Sequence, residues 1–150
     1  MLLALLLAAE TAKLPPWKPL PMSDSAEGAV MAPINALLAA LTARDGAAIL
    51  AQTRPDGSAT AVAEKIHRQS WAELAGGLKG GPERLEEKLT DPAIEIDGDI
   101  AMVWSPYVVT IDGKTHHCGV DHFDLVRESG AWKVLNLTWS SRTSGCEVQR

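Results

Sequence analysis

The chain is predicted to be one α+β domain, with helices gathered against one face of a curved, mainly antiparallel sheet. Three observations predict this. Apolar residues recur at helical spacing early in the chain. Three long strand-like runs separated by tight turns fill residues 100–140. Between these regions lie short alternating segments and a compact helix-start signal.

The elements follow in order. Ser23-Asp24-Ser25 offers N-caps for a helix running to about Arg44, with Ile34, Leu37, Leu38 and Leu41 on one stripe. Pro33 either kinks that helix or starts it as a first-turn proline. A second helix is expected over residues 46–52, after the Arg-Asp-Gly break. Pro55-Asp56-Gly57 reads as a turn, and residues 59–65 as a strand. Ser70-Trp71-Ala72-Glu73 is a capping box that opens a short helix ending at Gly76-Gly77. Residues 84–89 form an amphipathic strand or short helix, and residues 93–96 a strand.

The last three strands form a meander. Asp112-Gly113 between β-forming runs is a hairpin signal, because a two-residue type I′ turn needs positive φ at both positions. Pairing Ile111 with Lys114 sets Trp104 opposite Asp121, Pro106 opposite Gly119 and Val108 opposite His117. Glu128-Ser129-Gly130 fits a three-residue loop, which sets Phe123 opposite Leu135 and Asp121 opposite Leu137. Alternation then gathers Met102, Trp104, His117, Asp121, Phe123, Leu137 and Trp139 on the core face. Tyr107, Val109, Val120, His122, Val134, Asn136 and Thr138 fall on the other face, a blend suited to a dimer contact. A one-residue slip would exchange these assignments.

At 150 residues the chain can bury a real core. A net charge of −5 with no basic run argues against a nucleic-acid partner. Leu2 to Ala9 is an apolar run followed by small residues, read either as a clipped secretory signal over residues 1–12 or as an apolar tail. It is too short to span a bilayer. Residues 13–22 are proline-rich and form an extended linker, residues 23–141 the folded domain, and residues 142–150 a loose polar tail. Export would make a Cys118–Cys146 disulfide plausible; a cytoplasmic chain would keep two free thiols.

The chain resembles the nuclear transport factor 2-like superfamily, especially its SnoaL-like bacterial members. The resemblance covers about residues 26–140 and rests on ARDGAAIL, SWAEL, DGDIAMVWSPY, HCGVD and GAWKV, which are marks of fold rather than of catalysis. It implies a cone-like curved antiparallel sheet wrapped around the N-terminal helices, with a cavity at the open end. It also implies homodimers joined through the outer face of the sheet. Its members include dehydratases, ketosteroid isomerases, epoxide hydrolases and polyketide cyclases beside non-catalytic binding domains, so fold alone does not name a function.

Asp121 is the residue out of place, a carboxylate among Trp and Leu. An apolar surrounding would raise its pKa and suit it to proton transfer; alternatively it accepts a hydrogen bond from Trp71 or Trp104 and orders the core. His117 lies on the same strand face, about 13 Å away, so the two could act on opposite ends of one ligand but not as a dyad. Trp104, Phe123, Leu137, Trp139 and Trp71 are the candidate ligand contacts. The histidines of HHCGVDH alternate in direction, so no metal site is expected, and His67 reads as a surface residue. No phosphate loop or nucleophile elbow is present, and no cofactor is expected. The first reading is therefore a non-catalytic domain holding a small apolar molecule. The alternatives are an acid–base enzyme with Asp121 as general base, and a structural homodimer with a vestigial pocket.

Overall fold

The computed structural model describes residues 26–146. The expected signal, the proline-rich linker and the caps Ser23 to Ser25 lie outside the described residues. Helix α1 spans Ala26–Ala43 with Pro33 inside it, so the helix does not begin at the proline. It is long and apolar enough to cross a membrane by length and composition, a property that core helices and signal sequences share. Here Val30, Ile34 and Leu37 are fully buried. Helix α2 spans Gly46–Gln52, where the Asp45 carboxylate accepts the Ala48 N–H at 2.9 Å.

Strand β1 is Thr53–Val62, β2 is Ile66–Ser70, and helix α3 is Trp71–Gly77. Strands β3 (Leu85–Leu89), β4 (Ala93–Asp97), β5 (Ile100–Ile111), β6 (Lys114–Glu128) and β7 (Ala131–Ser140) complete the chain. The predicted turn at Pro55-Asp56-Gly57 is instead an irregularity within β1, where its register on β7 shifts between Thr53 and Ser58. Strand β2 was not expected as a separate element. It is a short edge strand whose residues are mostly exposed, so it lacks the alternation that marks a half-buried strand.

The seven strands form one sheet in the order β2-β1-β7-β6-β5-β3, with β4 also on β5. This corrects the cone-like antiparallel sheet wrapped around the N-terminal helices. The sheet is open, with β2 and β3 at its two ends, and it is mixed because β1 runs parallel to β7. Strands β3 and β4 share one edge of β5, pairing with residues 107–111 and 100–104. Pro106, which cannot donate to a ladder, sits at the changeover, and its carbonyl accepts the Thr90 N–H at 2.9 Å.

The Asp112-Gly113 hairpin forms as expected, with positive φ at both residues. The register beyond it differs from the expectation. Thr110 pairs with Thr115 but Val109 pairs with His117, so His116 is an extra residue in β6. Trp104 therefore faces His122, and Pro106 faces Val120. The second turn is the two-residue Ser129-Gly130, both with positive φ, and a further bulge at Leu135 pairs Phe123 with Leu137 and Asp121 with Trp139. The core face of β5 is consequently Ala101, Val103, Ser105, Tyr107 and Val109, the reverse of the predicted sorting, while β6 still turns Asp121, Phe123 and Leu125 inward.

Val30, Ile34, Leu37 and Ile49 of the helices meet Val103, Phe123, Leu125 and Val134 of the sheet in one core. Each such side chain contributes about 1.5–3 kcal/mol by leaving water. The chain after β7 turns back onto β6. Arg142 and Cys118 exchange backbone hydrogen bonds of 2.9 and 3.0 Å, and Cys118 is disulfide-bonded to Cys146.

Candidate functional site

The site is built where α3 and the end of α1 lie over the sheet. Ser70 starts α3, its hydroxyl accepting the Glu73 N–H at 3.2 Å while the Glu73 carboxylate accepts the Ser70 N–H at 2.7 Å. This reciprocal cap fixes the direction of Trp71, which is fully buried and donates its indole N–H to the Leu135 carbonyl at 2.9 Å. Gly57 permits that contact, because a Cβ there would lie 1.7 Å from the same carbonyl oxygen. A second close approach occurs at Gly119, where a Cβ would meet the Ser140 carbonyl at 1.9 Å and the Tyr107 ring at 2.9 Å. The space left open admits Tyr107, whose hydroxyl donates to that Ser140 carbonyl at 2.8 Å.

A pocket of about 250 Å³ results. Leu41 and Arg44 at the end of α1, and Trp71, Leu74 and Leu78 of or just after α3, form one side. Glu87 of β3, Tyr107 and Val109 of β5, His117 and Asp121 of β6, and Leu137 and Trp139 of β7 form the other. Three clefts are larger, two of about 410 Å³ and one of about 300 Å³; the first shares Glu87 with this pocket, and none of them includes Asp121. Chemistry rather than size therefore singles out the smaller pocket.

Five of the predicted site residues meet here: Asp121, His117, Trp71, Leu137 and Trp139. Two do not. Trp104 is 51% exposed on the outward face, stacked obliquely with His122 at 5.9 Å, because the bulge at His116 reverses β5 relative to β6. Phe123 is wholly buried in the core and does not line the pocket. The same reversal removes Tyr107 and Val109 from the proposed dimer face and places them inside, and the tighter turn between β6 and β7 does so for Val134.

The important residue that sequence reasoning missed is Glu87. It alternates with Leu85 and Leu89 on β3, and an acidic residue between two inward leucines is the same signal that marked Asp121. The two carboxyls are hydrogen-bonded to each other. Burial first, then this bond and the neighbouring Glu87 charge, push the Asp121 carboxyl up to about 10. Burial also raises Glu87, while the bond from Asp121 opposes that rise. Asp121 therefore carries the proton and donates it toward Glu87, since two like charges in an apolar setting cannot both ionise cheaply. Asp121 is 1% exposed, and its Oδ2 has no hydrogen-bond partner among the described residues.

The other polar groups of the pocket are engaged elsewhere. Arg44 donates to the Gly81 and Glu83 carbonyls at 2.6 and 3.0 Å and pairs with the Glu83 carboxylate at 3.7 Å. Burial raises the Tyr107 hydroxyl to about 12, so it stays neutral. His117 packs edge-on to Tyr107 at 5.8 Å and lies 2.8 Å, Nδ1 to Nδ1, from His116. Burial and then the His116 charge lower its pKa, which keeps the ring neutral at pH 7. The arrangement can accept hydrogen bonds at a buried carboxyl and hold one proton between two acids.

No protein-family model matches the chain, and no curated protein matches it. Solved structures do. A nuclear transport factor 2-like protein from Cytophaga hutchinsonii superposes with a TM-score of 0.67 at 14% identity, covering 79% of this chain and 99% of that one. A protein of unknown function with a cystatin-like fold from Nostoc punctiforme gives 0.66 at 16% identity over 79% and 92% of the two chains. A nuclear transport factor 2-like protein with a cystatin-like fold from Novosphingobium aromaticivorans gives 0.65 at 15% identity over 79% and 82%. At such identities the likeness speaks for architecture alone. The chain has the nuclear transport factor 2-like fold.

Proposed function

We propose that the domain binds one small, largely apolar molecule in the pocket beneath α3, with the polar end of that molecule against Asp121. The observation that carries this reading is a carboxyl that is 1% exposed, its Oδ2 without a partner among the described residues, in the wall of a pocket lined mainly by Trp, Leu and Val. A buried polar atom without a partner is costly, and a ligand that satisfies it offsets that cost. The Cys118–Cys146 bridge supports export to an oxidising compartment. Trp104 and Ile100, 51% and 60% exposed on the outward face, support a homodimer through that face.

The test is titration with a library of small apolar compounds while the indole N–H resonances of Trp71 and Trp139 are followed. Binders should shift both, and Leu137→Trp, which fills the pocket, should abolish the shifts. A library that moves neither resonance refutes the reading. An acid–base enzyme is the second reading, favoured by the proton shared between Glu87 and Asp121. In it Asp121 acts as the acid and Glu87 as the base, because Asp121 is the protonated partner. Asp121→Asn would then abolish turnover, whereas a binding domain would only change affinity.

A further inference from the structure

The donor and acceptor inventory of the pocket narrows the ligand further. Three of its strong donors are already engaged: the Tyr107 hydroxyl with Ser140, the Trp71 indole with Leu135, and the Arg44 guanidinium with Gly81 and Glu83. The Asp121 proton is directed at Glu87. Asp121 Oδ2, buried in the pocket wall, receives no donor among the described residues. The charge balance points the same way. Glu87 and Asp121 together leave one negative charge once Glu87 ionises. Arg44, the cation of the pocket lining, is paired with Glu83, and α3 and β7 bring only apolar or aromatic residues to the pocket.

We propose that the pocket takes a small organic cation, an alkyl or arylalkyl amine, whose ammonium sits against the Glu87 and Asp121 carboxyls while its apolar body lies on Trp71, Leu137 and Trp139. An ammonium offers three donors and no acceptor, which complements an anionic end wall whose one proton is turned toward Glu87. The aromatic lining adds attraction to a cation beyond its apolar contact. A neutral acceptor such as a ketone finds the Tyr107, Trp71 and Arg44 donors already paired, and a carboxylate is repelled by Glu87. No bond is made or broken; the amine is bound in its protonated form.

This inference rests on the pocket reading above, so the experiment separates the two. Benzylamine, benzyl alcohol and benzoate share one apolar body and differ in the charge of the polar end. Each is titrated into the full chain at pH 7 by calorimetry, with the Trp139 indole resonance as the reporter of location. Benzylamine should bind at least about tenfold more tightly than either of the others, since one ion pair in a partly buried setting is readily worth that factor. Of the groups facing the carboxyl pair, Arg44 is paired with Glu83, Tyr107 stays neutral, and His117 takes up a proton in acid, so the series is repeated with His117→Asn to leave Glu87 as the titrating group. Affinity for benzylamine should therefore fall as acid neutralises Glu87, while binding of benzyl alcohol stays level. Glu87→Gln with Asp121→Asn should erase the preference without erasing binding. Equal affinities, or tightest binding of benzoate, would overturn the cation proposal and leave the pocket standing; failure of all three would remove the pocket reading itself. If the double variant does not fold, the pH series on the unaltered chain decides the matter: a benzylamine affinity that does not fall in acid overturns the proposal.

Discussion

Replacing Asp121 by Asn should make the domain more stable at neutral pH. The folded chain holds this carboxyl near 10, whereas the unfolded chain releases its proton near the ordinary aspartate value of about 3.9. Between those limits the native state binds a proton that the unfolded state has lost, so stability is fullest below about pH 4 and falls as pH rises toward the folded value. The slope is about 1.4 kcal/mol per pH unit, and some three units separate about pH 4 from pH 7, giving an upper bound of about 4 kcal/mol. Asn occupies the same volume and keeps an N–H for Glu87, but carries no such linkage. We expect Asp121→Asn to gain about 2–4 kcal/mol at pH 7, a rise in Tm of roughly 5–15 °C, with the difference closing near pH 4. Urea titrations at a series of pH values measure it. A gap that does not vary with pH, or a variant less stable at pH 7, would refute the description of Asp121 as a buried, protonated acid.

Two further outcomes are expected. Gly119→Ala should lose about 1–3 kcal/mol, because its Cβ would press on the Ser140 carbonyl and the Tyr107 ring; an unchanged denaturation midpoint would show that the strands separate freely there. Cys146→Ser should lose about 3 kcal/mol and make the variant insensitive to reductant, while the unaltered chain loses the same amount on reduction; equal midpoints with and without reductant in the unaltered chain would deny the bridge any role.

Much of the architecture was legible because it depends on local chemistry. The Asp112-Gly113 turn, the Ser70 to Glu73 cap and α2 after the Arg-Asp-Gly break each follow from neighbouring residues. Asp121 was legible for a different reason: it breaks an apolar pattern on its own strand. The bulges at His116 and Leu135 were not legible, since an extra residue is accommodated by the partner strand and leaves no mark in composition. One such residue sufficed to exchange Trp104 for Tyr107 inside the pocket. The parallel seam between β1 and β7 and the shared edge of β5 were equally hidden, because they are decided by long-range packing. Glu87 could have been found by asking of Leu85 to Leu89 the question that was asked of β6.

The seam between β1 and β7 also governs the order in which the molecule can assemble. It brings Ser58 beside Asn136, 78 residues away in sequence, whereas the hairpins of β5, β6 and β7 join neighbours. Closing a long loop must come before the contacts that reward it, so hairpin formation is fast and docking of the helical half is slow. During synthesis the first half of the chain waits, with its apolar helix stripe uncovered, until the last strand has emerged from the ribosome.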